Sequence, residues 1–253
     1  MSERVAIVAG AGGELGRATA EKLAAAGFTV VGVDRSEEGL KELPDGVRRE
    51  TADSADPAAA RAVVDRIAAA VGPPEVLVNT LGTYALGDAL TTTPDDLRLM
   101  IDVNLGAALW LTQAVVPYLR ARGSGSIVHV SARPGLEPTA GMAAYAVSKA
   151  ALVHLVRVLD LELRPLGIRV NAVAPGSVRT PMLGFKSDDL TPEQIQSLAK
   201  REAGTVSPYG NAMMDPSDIA EVVLFLASDA ARGLQGSLVL ADQGISSAMP
   251  APG

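Results

Sequence analysis

The chain has 253 residues, carries 22 Lys plus Arg against 29 Asp plus Glu, and has a formal net charge of −7. α/β folds of this length commonly form one domain, and the acidic balance excludes a non-specific nucleic-acid binder, which needs a basic footprint for phosphates. With no Cys and only His129 and His154, disulfides, thiolate metal sites, Cys nucleophiles and three-histidine metal sites are excluded, and no metal is expected.

The first apolar run, Val5–Ala9, predicts a buried strand. It passes straight into a glycine cluster containing Glu14, which is not a secretory pattern. No stretch approaches the roughly 18 uninterrupted apolar residues of a membrane span, so a cytoplasmic protein without a membrane partner is expected. The cluster Ala9-Gly10-Ala11-Gly12-Gly13-Glu14-Leu15-Gly16 leads into a predicted helix over Leu15–Ala26. Glycines between a strand and a helix permit a tight turn and let a pyrophosphate approach backbone N–H groups at the helix N-terminus. Thr29–Val33 predicts the next strand, and Asp34 closes it, 18 residues after Gly16. A carboxylate there suits both hydroxyls of an adenosine ribose and repels a 2′-phosphate. No basic residue lies in the glycine loop, although Arg35 follows Asp34. The pattern predicts NAD as cofactor in preference to NADP.

Alternation continues along the chain. Val47–Thr51 predicts a weaker strand, Pro57–Val71 a helix, Val76–Val78 a strand, and Pro94–Arg120 a long helix or a broken pair. Ile127–Val130 predicts a strand, Ala143–Leu163 a helix stopped at Pro165, and Ile168–Val173 a strand. Pro216–Ala227 predicts a helix and Ser237–Ala241 a last strand. Short apolar strands alternating with helices imply right-handed βαβ units and a parallel sheet covered on both faces. The expected fold class is α/β: a Rossmann-type, doubly wound sheet of about seven strands in a single domain. Asp56-Pro57, Thr93-Pro94, Thr191-Pro192 and Asp215-Pro216 each pair a capping side chain with a proline at the first helical position. Asp95, Asp96, Glu193 and Asp218 then suit the helix dipoles. The irregular stretch Pro175–Leu190 and the helical pattern Thr191–Glu202 suggest a substrate lid over 176–215 rather than a domain boundary.

Tyr145 and Lys149 are four apart on one predicted helix and so share a face. A phenol titrates near 10, and a neighbouring ammonium lowers that value, which makes the pair a plausible proton donor for a carbonyl that receives hydride. His129, His154 and Trp110 are expected to be structural. Met182, Leu183 and Phe185 read equally as an apolar lid or a packed surface loop, and Met213 and Met214 as lid or interface.

Taken in order, these residues resemble the short-chain dehydrogenase/reductase family over nearly the whole chain. Asn79-Thr80-Leu81-Gly82 is similar to the family's Asn-Asn-Ala-Gly element. The resemblance implies that Asp53 holds adenine, that Asn104 supports a proton-relay water, and that Tyr145 and Lys149 are the catalytic pair. It further implies that Asn171–Gly176, with Pro175, Gly176, Val178 and Thr180, lines the nicotinamide, and that Asp242-Gln243-Gly244 is the C-terminal signature, with Gln243 where Gly is usual. Gly10, Gly12, Gly13, Leu15, Gly16, Asp34, Arg35, Asn79 and Gly82 complete the expected cofactor site. A homotetramer or homodimer is implied, with helices Pro94–Arg120 and Ala143–Leu163 packing across the interface.

Two departures stand out. The glycines fall as Gly10-x-x-Gly13-x-x-Gly16, with Glu14 at a position where the family's commonest pattern has glycine. The count back from Tyr145 to the family's catalytic Ser lands on Ala132, with Ser131 adjacent. Persisting strand geometry would turn Ser131 to the opposite side, whereas a one-residue loop shift would return it. Dihydropteridine reductases resemble the chain at both departures and share the element seen here as Gly141-Met142-Ala143-Ala144-Tyr145. The expected function is NAD(H)-dependent hydride transfer to or from a carbonyl or alcohol of partly hydrophobic character. The alternatives are a quinonoid or C=N reductase, a non-redox enzyme keeping NAD as a structural element, and a dinucleotide-sensing protein.

Overall fold

A computed structural model describes residues 4–85, 87–180 and 213–247. Seven strands, β1 (Val5–Ala9), β2 (Thr29–Asp34), β3 (Arg48–Thr51), β4 (Pro74–Asn79), β5 (Gly125–Val130), β6 (Ile168–Pro175) and β7 (Leu238–Ala241), form one sheet. Its order is β3-β2-β1-β4-β5-β6-β7, with every pairing parallel. The fully apolar run of β1 follows from burial on both faces. Val5, Ile7 and Ala9 enter one core, and Ala6 and Val8 enter the other, as the two-residue period of a strand requires.

The first core is closed by α3 (Pro57–Ala70), α5 (Ala107–Arg122) and α6 (Ala143–Leu163), through residues such as Val64, Leu111, Val115, Leu152 and Val156. The second is closed by α1 (Glu14–Ala25), α2 (Glu37–Lys41) and α7 (Pro216–Ala227), through Leu23, Leu40, Ile219, Val223 and Leu226. The proline starts act as expected. Asp56 accepts from the N–H of Ala58 and Ala59, Thr93 and Asp96 form a reciprocal capping box, and Asp218 accepts from the Asp215 N–H. Thr191-Pro192 and Glu193 lie outside the described residues, as do Met182, Leu183 and Phe185, the pattern Thr191–Glu202 and most of the expected lid.

Pro94–Arg120 resolves into neither of the two expected forms alone. α4 (Pro94–Ile101) runs into α5 through a π-helical turn, Asp102–Gly106, so the helix is continuous but locally widened. Its length and composition would suit a bilayer, but Ala108, Leu111 and Val115 spend the apolar side of α5 on the core. The short helix α2 has no counterpart in the sequence reading, although Ser36, which accepts from the Gly39 N–H, precedes two acidic residues as an N-cap would. Met214 settles inside the second core and bridges to Val178. Trp110 packs on the first core as expected, and His154 is exposed on α6. Gln243 has a left-handed φ of 57°, a conformation that explains why a glycine suits this position.

Candidate active site

β1 and β4 lie side by side, yet the chain leaves β1 towards β2 and leaves β4 towards β5. Such a switch point opens a crevice at the carboxyl ends of the strands. Here the crevice is a cavity of about 790 Å3. Gly10, Gly12, Gly13, Leu15, Gly16, Asp34, Arg35, Asp53, Gly82, Ser131, Tyr145, Lys149, Pro175, Gly176, Val178 and Thr180 all line it. Asn79 and Asn104 are absent from its lining.

The glycines are required by close approach. A Cβ on Gly16 would sit 2.1 Å from the Gly10 carbonyl oxygen, and one on Gly12 would sit 2.9 Å from Asp34 Cγ. Gly10 adopts φ +83°, and its added Cβ would meet Thr80 Oγ1 at 2.6 Å. At Gly13 the nearest atom would be 3.5 Å away, so the space there belongs to the cavity. The N-terminus of α1 begins at this loop with no side-chain cap, which leaves its N–H groups facing the crevice. Asp34 is fixed by two backbone donors, the N–H of Gly12 at 3.0 Å and of Ser36 at 2.9 Å. Asp53 is held by the Ala55 N–H at 3.0 Å.

Asn79 is buried beneath the cavity. Its Oδ1 accepts from the Leu81 N–H at 3.0 Å, and its Nδ2 lies 3.4 Å from His129 Nδ1. Thr112 donates its hydroxyl proton to the Ala108 carbonyl, so its oxygen accepts from His129 Nε2–H at 3.2 Å. His129 Nδ1 is therefore the acceptor for Asn79. Burial and the Lys149 charge push the imidazole down to about 3. It is a neutral post under the loop that follows β4, and Asn79 shapes that loop without reaching the cavity.

At the other end of the crevice, Tyr145 and Lys149 rise from α6 and are both buried. The expected lowering of the Tyr145 phenol by Lys149 does not occur in this structure. Burial pushes the phenol up, with the neighbouring Tyr84 adding to the rise, and the same burial pulls the Lys149 ammonium down to about 8. Lys149 Nζ donates to the Val130 carbonyl at 3.0 Å and lies 6.0 Å from the Tyr145 ring centroid. Strand geometry persists past β5, because the Ser131 N–H donates to the Val173 carbonyl. Ser131 borders the cavity but commits its hydroxyl to the Lys149 carbonyl at 3.1 Å. Ala132 instead packs with Tyr145, Met100 and Ala144.

Asn104 sits in the π-helical turn with its side chain fully engaged. Its Oδ1 accepts from the Thr83 N–H at 2.7 Å, and its Nδ2 donates to the Thr83 carbonyl at 3.0 Å and to Ser148 Oγ at 2.9 Å. Ser148 in turn donates to the Tyr145 carbonyl. Asn171 is likewise structural, holding the Leu234 carbonyl and the Ser237 N–H.

Several lining residues have no counterpart in the sequence reading. Tyr84, Arg133, Pro134, Thr139 and Ala140 also line the cavity. The available signal was proximity in the chain, to Gly82 for Tyr84 and to Ala132 and Gly141–Tyr145 for the others. Tyr84 meets the Tyr145 ring edge-on, with centroids 5.2 Å apart.

A family model described as enoyl-(acyl carrier protein) reductase matches residues 10–246. The chain is 36% identical to the short-chain reductase protein NovJ of Streptomyces niveus, covering 96% of this chain and 94% of that one. It is 32% identical to the 3-oxoacyl-[acyl-carrier-protein] reductase FabG of Thermotoga maritima, with 96% and 97% covered. Among solved structures, a putative short-chain dehydrogenase/reductase from Burkholderia xenovorans superposes with a TM-score of 0.88 at 29% identity, covering 98% of both chains. An actinorhodin polyketide ketoreductase variant solved with NADPH gives 0.87 at 28% identity, with 98% and 100% covered.

Proposed function

The chain belongs to the short-chain dehydrogenase/reductase family, and from that premise we propose that it reduces a partly hydrophobic carbonyl compound with NADH in preference to NADPH. The observation that carries this reading is the buried pair Tyr145 and Lys149, set at one end of a crevice whose other end is closed by a glycine loop and the fixed carboxylate of Asp34.

A nicotinamide dinucleotide is the family's cofactor, and the residues present fit one. Gly10, Gly12, Gly13, Leu15 and Gly16 offer the space and the uncapped N–H groups for a pyrophosphate. Asp34 is placed to accept from ribose hydroxyls and to repel a 2′-phosphate, a repulsion that Arg35 offsets only from the exposed side. Asp53 and Gly82 would border the adenosine half, while Pro175, Gly176, Val178 and Thr180 would border the nicotinamide. When bound, the reduced cofactor supplies the hydride.

Tyr145 then gives its proton to the carbonyl oxygen as charge develops there. Burial alone makes this phenol a weaker acid, so its proton transfer depends on the charge that develops on the carbonyl oxygen beside it and on the nearby Lys149 ammonium. Lys149, braced on the Val130 carbonyl, faces the nicotinamide-ribose region of the same wall. Asn104 acts at one remove, by tying Thr83 and α6 together around Tyr145. Ala132, Pro134, Ala140 and Met142 give the substrate end its apolar character. The outer faces of α4 and α6 expose Leu97, Leu99, Val147, Val158 and Leu161, and we assign them to a homodimeric or homotetrameric interface.

The test is absorbance-followed NADH oxidation across ketones, β-ketoacyl thioesters, quinones and quinonoid dihydropterin, with NADPH in parallel. We expect turnover of one carbonyl class, faster with NADH, and a preference reduced at least tenfold in Asp34→Ser, about 1.4 kcal/mol. Tyr145→Phe should lower kcat by a factor on the order of 10²–10⁴. A faster wild-type rate with NADPH would overturn the assignment of Asp34. Turnover of quinonoid dihydropterin alone would move the substrate to a quinonoid C=N centre.

A further inference from the structure

Gly12 is enclosed between two neighbours from the next βα unit. A Cβ on Gly12 would meet Asp34 Cγ at 2.9 Å on one side and Gly39 Cα, in α2, at 3.2 Å on the other. The approach is mutual. A Cβ on Gly39 would sit 2.7 Å from the Gly12 carbonyl oxygen and 2.9 Å from Gly12 Cα. Both obstacles are backbone atoms, which cannot swing aside as the end of a side chain can. Gly39 is the third of the five residues of α2, a place where Ala would be the better helix former. Its lack of a side chain is explained by this contact, in which α2 and the glycine loop touch main chain to main chain.

The loop is also stitched to the end of β2. Gly10 and Ala11 donate to the Val33 carbonyl at 2.8 and 3.2 Å, and Gly12 donates to Asp34 Oδ2 at 3.0 Å. Helix α2 is too short to persist by itself, and three anchors hold it in place. Ser36 caps it by accepting from the Gly39 N–H at 3.1 Å, Leu40 is buried in the second core, and Arg49 of β3 donates to the Leu40 and Leu43 carbonyls at 2.7 and 2.5 Å. Ser36 also gives its own N–H to Asp34 Oδ1 at 2.9 Å. One carboxylate oxygen is thus gripped from the glycine loop and the other from the start of α2, and Gly39 is where the loop and α2 press together.

We propose that Gly39 is a specificity-determining positioning residue: by letting α2 seat on Gly12 it keeps the Gly12 N–H on Asp34, and so holds that carboxylate where it accepts ribose hydroxyls and repels a 2′-phosphate. The proposal rests on the NADH preference proposed above. Gly12 and Asp34 line the cavity and Gly39 does not, so Gly39 acts through them. A methyl group at 39 must force α2 and the loop apart by several tenths of an ångström, because ordinary contact begins near 3.4 Å. Asp34 is then released from one of its two backbone donors. Discrimination is a difference of two affinities. A loosened carboxylate is a poorer partner for the ribose of NADH and a weaker barrier to the phosphate of NADPH, so the ratio of the two affinities is the quantity that moves.

The test is equilibrium binding of NADH and of NADPH to the full chain without substrate, followed by cofactor fluorescence. Gly39→Ala should weaken NADH about tenfold and lower the ratio of the NADPH Kd to the NADH Kd by about fivefold or more. Helix propensity alone predicts the opposite, a firmer α2 with binding unchanged. A general loss of structure would weaken both cofactors alike and leave the ratio where it was. Built into Asp34→Ser, Gly39→Ala should shift the ratio by less than about twofold, because its effect passes through that carboxylate. An undiminished shift in that background overturns the proposal, as does a folded Gly39→Ala chain with the wild-type ratio, and the latter leaves Asp34 in its role. Should Gly39→Ala not fold, Ser36→Ala decides: it removes the cap of α2 without changing charge and should lower the ratio about twofold to threefold, and a wild-type ratio there overturns the proposal. Tighter binding of NADPH than NADH by wild type overturns the NADH preference itself, and the role of Gly39 with it.

Discussion

At the scale of single residues, burial decides chemistry. His129 is enclosed, accepts from Asn79 and donates to Thr112, and its imidazole is held down to about 3. Between about pH 6.5 and pH 3 the unfolded chain binds a proton that the folded chain refuses, so this contribution to stability is complete above 6.5 and declines as pH falls. From pH 7 to pH 4 the loss amounts to about 3 kcal/mol. Urea unfolding at both pH values should show wild type losing that much more than His129→Gln, which has nothing to protonate. Equal losses in the two proteins would mean that His129 is not held neutral. The same burial separates what could be read in the sequence from what could not. The shared helix face of Tyr145 and Lys149 was visible from their spacing, whereas the hydrogen bond that commits Ser131 to the Lys149 carbonyl was not. The rise of the Tyr145 phenol was not, because neither its burial nor the 6.0 Å gap to Lys149 is written in a spacing of four.

At the scale of elements, the widened turn Asp102–Gly106 matters most. One extra residue per turn shifts the helix out of its regular register, and Asn104 sits inside this turn while reaching both Thr83 and Ser148. Asn104→Ala would strand the Thr83 N–H and carbonyl, at a cost of about 2–3 kcal/mol. In a chain of this size that corresponds to roughly 5–10 °C in Tm. A thermal scan should show this drop, and kcat should fall with it as the Tyr84 segment loosens. An unchanged Tm would separate Asn104 from the integrity of the site. Helix starts were legible because Asp56-Pro57, Thr93-Pro94 and Asp215-Pro216 carry their capping chemistry locally. The π turn was not, since a single inserted position only blurs a helical period. Five-residue α2 was too short to show one.

At the scale of the whole molecule, strand order follows from alternation and right-handed crossovers, so the sheet and its crevice were legible. The substrate was not, because apolar walls such as Ala132, Pro134 and Met142 grade shape and size without naming a group. The outer face of α6 makes a further demand. Val147 and Leu161 are 58% and 67% exposed, and a charge there should prevent association. Sedimentation should show Leu161→Arg shifted towards monomer, while its NADH binding persists if α6 keeps Tyr145 and Lys149 in place. An unshifted boundary would assign the interface elsewhere. The parallel order also has a kinetic consequence. No strand pairs with its neighbour through a hairpin, and β1, complete at residue 9, must wait for residues 74–79 before its second edge is covered. Contacts this distant in sequence are slow to form. A nascent or refolding chain therefore passes through species with an uncovered, wholly apolar strand edge, and in this molecule the pair of strands that opens the crevice is also the pair most exposed to aggregation while the fold assembles.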